Sequence, residues 1–199
     1  MHPASVLALS ALLAGGCAFG ARRVELTYNE GLRGPEVATQ ARTIAVARFE
    51  DARESGQGDG RLLGKVRNTY GIPTASVVAN QDPLLWVNEG IVLGLQREGF
   101  RVEKVDSPAA AGDLPTLTGK VTRASGGMYM RMDANIEASI AIEARGTSIM
   151  TTSCTGHSTK TAWTASASEY RTVFADAMDE FVEDCVPKLK PALLDITAP

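Results

Sequence analysis

The stretch from Met128 to Arg145 limits the fold of this chain more than any other. Met128, Met130, Met132, Ala134, Ile136, Ala138, Ile140, Ile142 and Ala144 interleave with Tyr129, Arg131, Asp133, Asn135, Glu137, Ser139, Glu143 and Arg145. Successive strand side chains point to opposite faces, so this period of two predicts an apolar face and a polar face on one strand. Such a clean division belongs to an antiparallel sheet covered on one side. The rest of the chain must then supply pairing strands and a helical cover.

Both are legible. Thr116 to Thr122 reads as a strand with Leu117, Gly119 and Val121 on one face, and Ser125-Gly126-Gly127 as the turn after it. A Thr/Ser-rich strand from Ile149 to about Trp163 follows, and could form an edge. Upstream, Thr43 to Phe49 predicts a first core strand. The Gly-rich connection from Glu50 to Gln81 is too long to be structureless, and predicts a hairpin of Leu62–Tyr70 and Ala75–Ala79. Asp82 and Pro83 open a helix that carries Leu84, Val87, Ile91 and Leu95 at helical spacing. Gly99 ends it, Phe100 folds back over it, and Arg101–Val105 alternates as a strand. Ser166 and Glu169 form a capping box for a last helix, striped by Tyr170, Phe174, Ala177, Phe181 and Cys185 and limited by Pro187 and Pro191. The order β-α-β, three-stranded meander, α predicts an α+β fold: an antiparallel-rich mixed sheet with two main helices packed on one face.

The amino terminus bears on location. The apolar run Val6–Ala14 is too short to cross a bilayer but long enough for a signal peptide. Ala14, Gly15 and Gly16 lead into Cys17, and the stretch resembles the lipobox of bacterial lipoproteins, although Ala14 stands where that pattern usually has Leu. The resemblance implies a diacylglycerol on the Cys17 thiol, cleavage before it and a further acyl chain on its amine. It also implies no retention at the inner membrane, since Ala18 is not Asp. Two or three chains hold a protein on a membrane where one does not. The predicted organisation is a signal peptide at 1–16, a lipidated tether at 17–42, one periplasmic domain at 43–190 and a tail at 191–199. Ordinary cleavage of the signal, or a cytosolic chain, are the other readings.

An oxidising compartment permits a disulfide between Cys154 and Cys185; two buried free thiols are the alternative. Net charge is −3 with both signs mixed, which gives no basic patch for nucleic acid.

The chain resembles the YajG-like group of Gram-negative lipoproteins in its lipidated start, Phe49-x-Asp51-x-Arg53, Leu95-x-x-x-Gly99-Phe100-x-Val102, and the polar-alternating hairpin around Asp133–Gly146 before a terminal helix. The resemblance spans roughly residues 43–190. It implies outer-membrane attachment through N-terminal acyl chains and no known enzymatic role.

Candidate chemistry is sparse. Met128, Met130 and Met132 at two-residue spacing could bind Cu(I), with His157 adding a nitrogen. The same methionines also simply continue the apolar face, and the unbroken parity favours that. Gly56-Gln57-Gly58-Asp59-Gly60 lacks the Lys-Ser/Thr ending of a phosphate loop. Asp51, Arg53 and Glu54 read as a ligand site or, more simply, as a solvated turn. Cys154 and His157 are three apart, hence on opposite strand faces, and no Gly-x-Ser-x-Gly elbow occurs. No catalytic residue and no cofactor are assigned. The expected role is a non-enzymatic periplasmic lipoprotein of the outer membrane, an envelope scaffold or accessory subunit with a protein partner. The alternative is a module for lipid or peptidoglycan fragments, such as an auxiliary lipoprotein of an envelope transport system, using the helix–sheet groove or the 50–81 connection. A metal-handling protein is the third reading.

Overall fold

The alternating stretch forms a strand, but the chain folds back on itself at Met130. In the computed structural model, which describes residues 20–29, 32, 42–54, 60–161 and 165–197, Met130 has φ +64° and stands alone between Tyr129 and Arg131, which pair. Strand β7 (Thr116–Tyr129) therefore meets β8 (Arg131–Ala144) in a tight antiparallel hairpin, and β8 pairs onward with β9 (Thr147–Lys160). Met132, Ala134, Ile136, Ala138, Ile140 and Ile142 are all buried, on the predicted face.

Ser125–Gly127 is not the turn. It lies inside β7, and its glycines serve close approach. A Cβ on Gly126 would stand 2.5 Å from the Phe174 ring, and one on Gly127 would stand 2.8 Å from the carbonyl oxygen of Lys65.

Among the described residues, six further strands complete a nine-stranded sheet: β1 (Gly20–Val24), β2 (Thr43–Ala47), β3 (Glu50–Asp51), β4 (Leu62–Arg67), β5 (Pro73–Ala79) and β6 (Arg101–Val105). β7 is the spine. One edge holds β8 along its full length. The other takes β2, β3 and β4 in succession, all parallel, at Thr116–Leu117, Lys120–Val121 and Met128. Beyond these, β2 pairs with β6 in parallel, and β4 leads through antiparallel β5 to parallel β1. Five of the eight pairings are thus parallel. The α+β class holds, but the sheet is parallel in most of its pairings where an antiparallel-rich one is predicted. The reason is that the 14-residue β7 offers room for three short partners end to end along one edge.

Helix α1 (Pro83–Arg97) starts as predicted, with the Asp82 carboxylate accepting from the Leu84 amide. It ends in a Schellman motif: Gly99 has φ +88°, and the amides of Phe100 and Gly99 donate to Leu95 and Gln96. Helix α2 (Ala167–Ile196) opens with the Ser166–Glu169 capping box. Pro187 and Pro191 do not end it. Each removes an amide donor, at a cost of about 3 kcal/mol, but both face solvent while Val186, Leu189 and Leu193 are buried. Burying each such side chain contributes about 1.5–3 kcal/mol, enough to carry the helix through. The two helices touch where α1 has Gly90 and Gly94: a Cβ there would meet Met178 at 2.3 Å and Val182 at 2.5 Å.

Within the predicted tether, Gly20–Val24 forms a strand, and Val24, Leu26 and Leu32 are buried in the core. Trp86 donates through Nε1 to the Thr27 carbonyl, and the Tyr28 hydroxyl donates to the Trp86 carbonyl. This segment is part of the packed fold, because its apolar residues have a place to go.

Candidate functional site

Cys17 lies outside the described residues, as does the Gly-rich run at 55–59. The first described residue, Gly20, opens β1 and pairs with Ala75 of β5.

The other two cysteines form a disulfide. Cys154 on β9 and Cys185 on α2 are buried, with Cα atoms 5.1 Å apart. Cys154 lies on the inner face of β9. His157 lies on the outer one, where its Nδ1 is 2.7 Å from the Asn135 side-chain oxygen. The expected opposition of the two residues is what the strand shows.

The three methionines are not on one strand face. Met128 on β7 and Met132 on β8 are cross-strand partners; Met132 is fully buried, and Met130 projects from the hairpin tip. The turn at Met130 explains the difference, since it reverses the chain in the middle of what reads as one strand. His157 is paired with Asn135, three residues along β8 from Met132. Among the described residues no group of three His, Cys, Asp or Glu side chains is placed to hold a metal.

Asp51 and Arg53 close on each other. The Arg53 side chain donates through Nε and a terminal nitrogen to both Asp51 oxygens, at 2.9 and 2.8 Å, and also to the Gly60 carbonyl. These hydrogen bonds hold the Asp51 carboxyl below its ordinary range despite some desolvation. These bonds lock the turn, and Glu54 beside it is exposed.

Sequence reasoning missed a groove of about 440 Å³, open to solvent, at the junction of β4 and β7. Gly64 and Gly127 are among its lining residues. Leu62, Met128 and Tyr129 give it apolar walls, and Lys65, Arg67 and Asp133 its charges. The paired glycines were the available signal, but they read equally well as a turn. A second groove, of about 420 Å³, opens between Arg48, Glu50, Lys120 and Glu143, and is mainly charged at its rim. In the second groove the Thr118 hydroxyl donates to the Glu143 carboxylate at 3.4 Å.

No family model and no curated protein matches the chain. Solved structures do. Protein XCC0632 from Xanthomonas campestris, described under the family DUF330, superposes with a TM-score of 0.56 over 89% of this chain and 98% of its own, at 15% identity. The hypothetical protein CT253 from Chlamydia trachomatis gives 0.51 over 78% and 99%, at 6% identity. Lipoprotein GNA1162 from Neisseria meningitidis gives 0.41 over 75% and 98%, at 8% identity. The first two share the fold of this chain.

Proposed function

We propose that this protein is a lipid-anchored envelope component that acts without catalysis, as a scaffold or accessory subunit on the periplasmic face of the outer membrane, akin to the YajG-like lipoproteins. The observation that carries the reading is the run of Ala14-Gly15-Gly16-Cys17 three residues before a strand built into the sheet. Acyl chains there would grip a folded domain through a very short link. The buried disulfide suits an oxidising compartment. Two open grooves of mixed apolar and charged lining suit the holding of a partner.

The test is mass spectrometry of the protein made from its full sequence in a Gram-negative cell and recovered from membranes. The expected N-terminal peptide begins at Cys17 and carries a diacylglyceryl group and a third acyl chain. A bare Cys17 thiol, or a retained leader, overturns the anchor. The open groove between β4 and β7, with apolar and charged lining, favours a second role, binding a lipid or peptidoglycan fragment; mass analysis of small molecules extracted from the same preparation checks it.

A further inference from the structure

We propose that one end of the sheet is a membrane-docking face, at which Tyr70, Ile72, Tyr129 and Met130 enter the interfacial layer of the bilayer that holds the Cys17 anchor. The proposal rests on the anchoring reading above and adds an orientation to it.

Strand register brings these residues together. β4 runs parallel to β7, with Val66 beside Met128, so the β4–β5 loop and the β7–β8 turn leave the sheet at the same end. β1 starts there too, since Gly20 pairs with Ala75 two residues into β5, and β9 finishes there, with Lys160 beside Met132. Six adjacent strands thus present one end, about 24 Å across at the usual strand spacing.

That end is apolar where it projects. Tyr70 is 86% exposed, Met130 75%, Ile72 58% and Tyr129 48%. Among the described residues the other large exposed apolar side chains, Leu85, Ile149 and Leu194, sit singly on three different elements. An aromatic ring with a polar tip is the side chain that settles at the headgroup level.

The loop that carries Tyr70 and Ile72 is rigid and polar-satisfied. The Asn68 side chain accepts from the amides of both, each at 3.0 Å, and its carbonyl accepts from the Gly71 amide. Arg67 donates to the Gly71 carbonyl at 2.8 Å, and Gly71 supplies the φ of +78° that the turn needs. With these backbone groups bonded within the loop, placing it in a drier layer strands few of them.

Charge completes the match. Arg22, Arg23, Lys65, Arg67, Arg131 and Lys160 lie at or just behind the tips, and none forms an ion pair among the described residues. The nearby carboxylates are engaged: Glu25 with Arg171, Glu169 in the capping box and Asp133 with Asn135. A basic collar behind an apolar rim fits an anionic lipid surface. Gly20, three positions after Cys17 in the sequence, pairs with Ala75 beside it.

The experiment uses the full chain, processed in the cell and purified in detergent, with a fluorescent label at Ile72→Cys or Met130→Cys and a control label at Ile149→Cys, at the far end of β9. The protein is reconstituted into vesicles of phosphatidylethanolamine and phosphatidylglycerol, and its intact mass first reports acylation at Cys17. Labels at 72 and 130 are expected to be quenched about threefold less by aqueous iodide than the label at 149, and to be quenched by spin-labelled lipid, as groups about 5–10 Å into the interface would be. An acylated protein whose labels at both ends respond alike overturns the docking face and leaves the anchor standing. Shielding from iodide without quenching by lipid means that a second copy covers the tips, and also overturns it. A bare Cys17 thiol overturns the anchor first and the docking face with it.

Discussion

At β9 the sheet ends against a helix, whereas at β1 it ends in the open. The free edge of β9 is bonded to α2 by side chains: the amides of Thr155 and His157 donate to Asp184 and Glu180 at 3.0 Å each, and Lys188 donates to the Ser153 carbonyl at 3.0 Å. Residues 180, 184 and 188 are four apart and form one row on the helix. They satisfy backbone groups that an exposed edge would offer to another chain. The Cys154–Cys185 bond fixes the same pair of elements covalently. β1 has none of this. Gly20 to Arg23 are exposed, and its pairing among the described residues is with β5 alone. A covered edge needs a close helix and a lock; an open edge needs only a neighbour, and here it lies beside the proposed membrane anchor.

The largest effect that could break this comparison is loss of the lock. Replacing Cys154 and Cys185 together by Ala is expected to lower stability by about 3–4 kcal/mol, the chain-entropy value for a loop of this length; their separation is 31 residues. Urea unfolding measures it. A loss below about 1 kcal/mol would mean that the polar row and the packing already hold α2 in place, with the disulfide redundant.

Next comes space. A Cβ on Gly156 would lie 2.2 Å from the Ala177 carbonyl oxygen and 2.5 Å from the Phe181 amide nitrogen, so helix and strand backbones meet there. One on Gly20 meets nothing within 4 Å. Gly156→Ala is therefore expected to cost about 2–3 kcal/mol through forced separation of α2 from β9. Gly20→Ala should stay within about 0.5 kcal/mol. Thermal unfolding of the two variants side by side sharpens the contrast; equal effects would remove it.

How much of this was legible in the sequence follows the same division. The α2 stripe, both helix starts, the Gly99 stop and the buried face of β8 all depend on neighbours close in sequence, and the periodicities of Tyr170–Cys185 and Met132–Ile142 carried them. Met130 hid the hairpin tip, because a non-glycine residue at positive φ gives no turn signal and parity is kept across the reversal. Gly126, Gly127 and Gly156 could not be read correctly, since their reason lies in Phe174, Lys65 and Ala177, far away in the chain. The parallel partners of β7 were invisible for the same cause. So was the docking end, which exists only once the loop at 68–72 and the turn at Met130 are set side by side.

The smallest effect concerns two carboxylates of α2 that face different margins. Burial pushes the Asp184 carboxyl up, but the hydrogen bonds from Lys188 and the Thr155 amide outweigh it, and the group titrates below its ordinary 3.8. Asp179 faces Asn29, in the segment that follows β1. Burial raises its pKa, the Asn29 hydrogen bond lowers it, and Asp176 and Glu183 raise it further, so that the group titrates above 3.8. The signs are opposite. Asp184 contributes stability that is present above the unfolded value of 3.8 and is lost as pH falls through the lower folded value. Asp179 as a carboxylate opposes folding at neutral pH, and that opposition fades as pH falls through its raised value. At pH 7, Asp184→Asn is expected to lose about 0.5 kcal/mol, the usual worth of such a helix-surface pair, while Asp179→Asn gains up to about 0.5 kcal/mol, on the surface scale. Both differences from the parent should shrink toward zero by the lower end of the acid range. Urea midpoints measured from pH 7 down to pH 3 check this, and two variants moving in the same direction would show that the β9 and β1 margins are held to α2 by the same kind of contact.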